Sequence, residues 1–428
     1  MDTVQALSRQ ARPAWLWFVF PSVTMSLGWA LRGYIGGGPL GAMIPGAMVG
    51  LALCLLLDRE ADSSLIAAFA AIGVGFGGQM TYGQTVGLSF QPETFYWGMT
   101  GFAVKGAAWG LLGGAAIGIA FTRDRYRTRD LITGFGLMVL GTWAGWKLLN
   151  EPKLIYFSNR YDKPRPEIWA GMLAGALLLL LWLTWRAGAR LPWRFAVWGA
   201  IGGGIGFASG AGLQVWGRQI VLEFPLGWWK VMELTFGALL GLAYGWCAWR
   251  YRAELVSERA PSARQISPWS ALGLAAVAIA AAFLLYPFLH TRFTYTIAGA
   301  LLLSLALFSE TLCWQIAITL TYCAFALDLL ENKPGFPAPL MWALVVVTTI
   351  GIAFVTSRKP RMHPMFLWIT WTAVGMSLVR SFVPLVSSKP VMMETLFLVQ
   401  GLLITLWAAR LGAGNHGGET EPGRSIPS

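Results

Sequence analysis

Charge is what this chain has least of. Asp, Glu, Lys and Arg make up 12% of its 428 residues, against about 25% in an ordinary soluble domain. That excludes a water-soluble globule and a charge-rich disordered chain. Cysteine is scarce as well: Cys54, Cys247, Cys313 and Cys323 stand singly in apolar segments with no CxxC spacing, which argues against a disulfide framework or a thiolate zinc site. The three histidines, His290, His363 and His416, form no HExxH pair or cluster, so no metal and no cofactor is expected. The glycine triplets at 36–38 and 202–204 lack the preceding strand and following lysine of a phosphate-cradling loop, and no GxSxG elbow occurs.

What the chain has instead is apolar length. Hydrophobic residues make up 56% of it, and the mean hydropathy is +0.57. Runs such as 177–185, 272–288 and 340–355 recur with few charges inside them. Such runs are solvated by lipid or by one another, which makes this an all-α, polytopic membrane protein. Nucleic acid is excluded as a partner and membrane lipid expected; the formal charge of +12 then reports which loops stay in the cytoplasm. The first run, 15–31, follows Arg9 and Arg12 without a cleavage site and reads as a retained span.

At about 20 residues per span, helices are predicted near 14–32, 40–57, 66–82, 97–121, 131–149, 166–185, 195–217, 226–249, 268–289, 294–309, 311–330, 337–357, 364–386 and 391–410. That makes about 14 transmembrane helices and puts both termini on one side. Arg and Lys are richer in the loops at 122–130, 186–194, 250–264 and 358–363, which places that side, and the termini, in the cytoplasm. The charged, Pro- and Ser-containing stretch 251–267 divides four hairpins (1–250) from a six-helix remainder (268–411), and a polar tail (412–428) is expected to be disordered.

A repeat is visible in the first part. The second helix of each hairpin carries positions four apart in one frame: Ala42-Gly46-Gly50, Lys105-Trp109-Gly113, Glu167-Gly171-Gly175 and Glu233-Gly237-Gly241. Glycines so spaced let a neighbouring backbone approach closely. Tandem helical hairpins of one plan, set around an axis, predict an α/α toroid-like bundle whose polar ends share one bowl on the non-cytoplasmic side. That side collects Arg32, Tyr34, Tyr82, Gln84, Lys147, Asn150, Glu151, Arg160, Asp162, Lys163, Arg165, Glu167, Arg218, Gln219, Glu223, Lys230 and Glu233.

Two residues lie within spans. If the eighth helix begins at Pro225, Glu233 sits about 12 Å along it, where a carboxylate must be paired, protonated or wet. An ion pair with Lys105 or Arg32 is the structural alternative to a catalytic role. Glu167 follows Pro166 and is predicted in the first turn of its helix, where the dipole favours a carboxylate; an ordinary capping preference is its alternative. Two carboxylates in different settings suit acid–base work, with Glu233 as acid and Glu167 as base or nucleophile. Asp162, Glu223, Glu93 and Glu151 are loop alternates for either role. Trp29, Trp97, Trp146, Trp169, Trp216, Trp228 and Trp229 gather at the same helix ends, and indole walls beside hydrogen-bonding groups suit a sugar ring. An interfacial aromatic belt is the alternative. The substrate-binding set is then Arg32, Tyr82, Gln84, Lys105, Trp146, Lys147, Asp162, Trp169, Arg218, Gln219, Glu223 and Trp229.

The segments 163–171 (KPRPEIWAG), 228–237 (WWKVMELTFG) and 78–84 (GQMTYGQ) resemble a family of polytopic bacterial membrane proteins similar to integral-membrane glycoside hydrolases. The resemblance covers the first 250 residues or so, and no catalytic assignment comes with it. It implies a membrane-embedded glycan-processing enzyme acting on a sugar or glycolipid. A transporter of a sugar or anionic solute, with Arg32, Lys105, Lys147 and Arg218 on the substrate, is the other reading.

Overall fold

The computed structural model describes residues 12–35, 37–161, 163–220, 227–255, 267, 269–270, 272–273, 276–277, 293–324, 326, 337–357, 361–382 and 392–413. Fifteen α-helices lie among them: α1 (Ala14–Ile35), α2 (Gly38–Leu57), α3 (Ser63–Gly77), α4 (Gly83–Ser89), α5 (Phe95–Phe121), α6 (Thr128–Gly145), α7 (Trp169–Ala187), α8 (Arg190–Gln219), α9 (Trp228–Arg250), α10 (Arg252–Leu255), α11 (Thr294–Ala306), α12 (Glu310–Trp314), α13 (Ala338–Ser357), α14 (Met362–Phe382) and α15 (Met392–Ala413). Nine helical stretches are long and apolar enough to cross a membrane. The chain is therefore a multi-pass helical membrane protein.

Six helices close a ring. α1 packs on α2, α2 on α3, α3 on α5, α5 on α8, α8 on α9, and α9 back on α1. Small residues set the spacing. A Cβ added to Gly106 or Gly110 of α5 would come within 3.0 Å of the Gly203 or Gly199 backbone of α8, and the same holds in reverse. Gly237, Gly241 and Gly245 of α9 likewise face the backbone carbonyls of Met25, Pro21 and Trp17 on α1. With lipid on the outside and no hydrophobic effect to drive helix pairing, such backbone-to-backbone contact is how membrane helices gain packing energy.

The α6–α7 hairpin lies outside the ring, with α7 against α5. Its apolar side chains Leu177, Leu181 and Trp185 remain exposed, as lipid-facing residues do. The later helices lean on the ring and on the hairpin: α14 and α15 on α1 and α2, α11 and α12 on α3, and α11 also on α6. The Met362 N–H donates to Glu60 Oε1 at 2.7 Å and Thr296 Oγ1 to Gln79 Oε1 at 3.1 Å, joining the two parts of the chain.

Three sequence expectations change. The candidate spans among the described residues number nine, not fourteen. Ser63–Gly77, Thr294–Ala306 and Ala338–Ile352 are apolar but shorter, and the predicted helix at 268–289 and the tail from 414 lie outside the described residues for the most part. The hairpins do not recur as one unit either, because α3 is followed by the short α4 before α5 begins and the α6–α7 pair leaves the ring. In three frames the glycines survive as packing stripes, Gly46 and Gly50 against α3, Gly171 and Gly175 against α6, and Gly237 and Gly241 against α1, whereas on α5 the stripe is Gly106, Gly110, Gly114 and Gly118 against α8. Finally, Glu167 is not in a first helical turn: α7 begins at Trp169, and Asn150 Oδ1 accepts from Ala170 N at 3.1 Å and Gly171 N at 3.3 Å, so a distant side chain caps it.

Candidate active site

Polar side chains gather at the end of the ring where α1, α3 and α8 finish and α5, α7 and α9 begin. The first group centres on Lys105. From the first half of α5, its Nζ lies 2.7 Å from Glu167 Oε1 and donates to Thr85 Oγ1 at 2.7 Å and to the Thr81 carbonyl at 2.8 Å. Glu167 Oε1 also accepts from Ser158 Oγ at 2.9 Å. Its Oε2 accepts from Phe157 N at 3.0 Å and Trp169 Nε1 at 3.1 Å. Four donors occupy the roughly four lone-pair sites of a carboxylate. Both side chains of the pair are 1% exposed, and through Glu167 the pair ties Phe157, Ser158 and Trp169 to α5.

The second group centres on Glu233, 2% exposed. Lys230, one turn earlier on α9, donates to Oε2, and Trp229 Nε1 donates to Oε1 at 3.1 Å. Lys230 also reaches the Ala30 carbonyl on α1 at 3.3 Å. Tyr82, in the α3–α4 connection, stacks on the Trp229 ring at 5.7 Å, and its hydroxyl accepts from Arg32 Nη1 at 3.2 Å. Burial pushes the Tyr82 hydroxyl above its ordinary range; Arg32 opposes this, while the charge and hydrogen bond of Glu233 add to it. Thr81 and Tyr82, adjacent in the chain, thus join the two groups, one through its carbonyl to Lys105 and the other through its ring and hydroxyl to Trp229, Arg32 and Glu233.

Beneath them aromatic side chains meet inside the ring. Trp29 of α1 meets Trp109 of α5 edge-on at 4.8 Å and Phe236 of α9 at 4.4 Å, and Phe207 of α8 stacks on Phe236 at 4.6 Å. α1 and α5 are not neighbours around the ring, so a contact between their tryptophans spans its interior. Trp109 is fixed by donating to the Val74 carbonyl at 2.7 Å. These rings floor the site, and Arg32 lies on the floor, 5.5 Å from the Trp29 centroid and 5.3 Å from that of Trp109.

The structure thus brings together Arg32, Tyr82, Lys105, Glu167, Trp169, Trp229 and Glu233 from the sequence-selected set. Neither expected partner of Glu233 is its ion-pair partner: Lys105 is taken by Glu167, and Arg32 stands one hydroxyl away. Gln84 braces the connection from outside, donating to the Lys163 carbonyl at 3.0 Å and accepting from Arg165 N at 3.3 Å. Trp146 and Lys147 belong to the turn after α6, where Lys147 pairs with Glu151 at the surface. Arg218 lies over the Phe90 ring at 4.3 Å, and Gln219 is exposed; neither touches the two groups. Asp162 and Glu223 lie outside the described residues. Sequence reasoning missed Thr81, Thr85 and Ser158, hydroxyl residues with no distinguishing pattern, and Lys230 as the partner of Glu233, which its i,i+3 spacing could have indicated. Comparison with protein-family models, with characterised proteins and with solved structures returns no match.

Proposed function

We propose that the chain is a membrane-embedded glycan-processing enzyme, a glycoside hydrolase working on a sugar or glycolipid at this end of the ring. The observation that carries the reading is the aromatic floor. A transporter alternates access through its interior, whereas here rings from α1, α5, α8 and α9 meet across it directly beneath the polar groups. A one-ended site with indole and phenol walls beside ion-paired carboxylates suits a substrate that enters, reacts and leaves by the same mouth.

In this reading the roles differ from those expected from the sequence. Glu167, with its acceptor sites filled, positions Lys105, Phe157, Ser158 and Trp169 rather than attacking. Glu233, ion-paired with Lys230, serves as base. Tyr82, whose hydroxyl keeps its proton, serves as donor. In hydrolysis the Tyr82 O–H protonates the leaving glycosidic oxygen; once the leaving group has gone, water attacks the oxocarbenium-like anomeric carbon from the same side and gives its proton to Glu233, the hydrogen-bonded neighbour of Tyr82. The Glu233 proton then returns to the Tyr82 oxygen through their hydrogen bond, restoring both groups. Arg32 and Trp229 hold the sugar. The membrane is the bacterial cytoplasmic one, with the termini inside and this mouth outside, the orientation the arginine-rich loops favour.

The test is glycoside release from a panel of chromogenic sugars and glycolipids by purified Glu233→Gln and Tyr82→Phe proteins. A fall of about a hundredfold or more with retained folding supports the assignment; normal turnover in either variant removes that residue from it.

A further inference from the structure

We infer that the substrate carries a single negative charge, a carboxylate or phosphodiester, and that Arg32 is the residue that binds it. This rests on the reading of the site as a carbohydrate site and names the class of sugar it takes.

Lys105 is matched by Glu167, and Lys230 by Glu233. Arg32, 3% exposed, has no carboxylate against it among the described residues. A guanidinium so buried carries a desolvation cost that calls for a counter-charge.

Its surroundings supply only part of what it needs. The rings of Trp29, Trp109 and Tyr82 lie 5.3–5.9 Å from its carbon, and such contacts stabilise a cation without accepting its hydrogens in conventional bonds. Those N–H groups form a planar fork of five donors. Nη1 reaches the Tyr82 oxygen, while Nε is buried with no partner. An aromatic setting therefore holds the charge in place and leaves hydrogen-bonding capacity on the guanidinium. A planar or tetrahedral oxyanion is what that fork recognises, often with two parallel hydrogen bonds.

Stoichiometry narrows the class. Among the described residues of the site one positive charge is unmatched, which fits one negative charge and favours a uronate or a phosphodiester over a doubly charged phosphomonoester. The binding group also lies beside the proposed chemistry, because the Tyr82 oxygen that accepts from Arg32 is the one assigned to the leaving group. An anionic substituent on Arg32 would set the sugar ring against Trp229 and Tyr82.

The test is calorimetric titration of the full-length protein in detergent with sodium glucuronate, glucose and diethyl phosphate. Thermal stability is measured in parallel in nanodiscs of phosphatidylglycerol or phosphatidylcholine. The wild type should bind glucuronate about tenfold to a hundredfold more tightly than glucose. Arg32→Gln should abolish that difference, and Arg32→Lys should keep only part of it. Equal affinity for glucose and glucuronate overturns the inference and leaves the carbohydrate reading standing; so does undiminished glucuronate binding by folded Arg32→Gln protein. Binding of glucuronate and diethyl phosphate without turnover of any glycoside does the reverse. Stabilisation by phosphatidylglycerol alone, lost in the variants, identifies the anion as a lipid headgroup and overturns the sugar assignment. Should Arg32→Gln fail to fold, the wild-type ratio and Arg32→Lys decide the matter.

Discussion

Lys105 on α5 and Glu167, two residues ahead of α7, meet 2.7 Å apart with both side chains 1% exposed. Removing one member of such a pair strands the other. Lys105→Met and Glu167→Gln should each lower stability by about 3–5 kcal/mol. The double variant should lose much less than the sum of the two. Thermal or denaturant unfolding in detergent measures this as a double-mutant cycle; additive losses would mean that the two groups are not coupled.

That pair also marks the limit of what was legible beforehand. Lys105 and Glu167 stand out in the sequence as charges in matching frame positions, and the frame presents them as equivalents, whereas in the fold they are partners. Periodicity gives depth along a helix and the small face of it, so the glycine stripes and most helix positions were readable. It does not say which neighbour a face meets. Pro166 suggested a helix start at Glu167, yet Thr81 Oγ1 donates to the Pro166 carbonyl and the cap comes from Asn150, contacts visible only in three dimensions. The span count rose to fourteen because hydropathy registers apolarity more readily than helix length, and α3 has only 15 residues. The aromatic floor was half visible: Trp29 was among the selected tryptophans, but nothing local ties it to Trp109.

Gly171 and Gly237 offer a test of packing that leaves the chemistry untouched. A Cβ on either would come within 3.0 Å of backbone, Thr142 on α6 for the first and Met25 on α1 for the second. Gly171→Leu and Gly237→Leu should each cost about 1–3 kcal/mol or more, visible as loss of a monodisperse peak in detergent chromatography. Normal elution and unfolding of both would mean that these helix pairs are not in close contact.

At the opposite end of the ring, burial pushes the carboxyl of Glu60 above its ordinary range, against the pull of the Met362 N–H and Arg361. Burial does the same to Glu310, with the charges of Glu60 and Asp62 adding to it. An acid whose folded value is raised favours the fold while protonated, and that contribution fades as pH climbs through the raised value. Stability should therefore decline as pH climbs from the ordinary carboxylate range through the raised values of these two groups. Glu60→Gln, which keeps an acceptor for Met362 but cannot ionise, and Glu310→Gln should flatten the slope of melting temperature against pH. An unchanged slope in both would assign the decline to other groups.

Orientation is open to direct labelling, since the four native cysteines are buried. Tyr161, in the segment that carries Glu167, is 91% exposed. A cysteine placed there should react with an impermeant maleimide on intact cells, and one at Arg127 only after permeabilisation. The reverse pattern would turn the site toward the cytoplasm.

The most direct test of a one-ended enzyme is a single reconstitution. Proteoliposomes are given radiolabelled glycosides on the site-facing side, and released aglycone and luminal label are followed together. A floored site predicts product in the outer solution, none of it formed by Glu233→Gln protein, and no label in the lumen above protein-free vesicles. Label accumulating inside without any product would contradict it and establish transport instead.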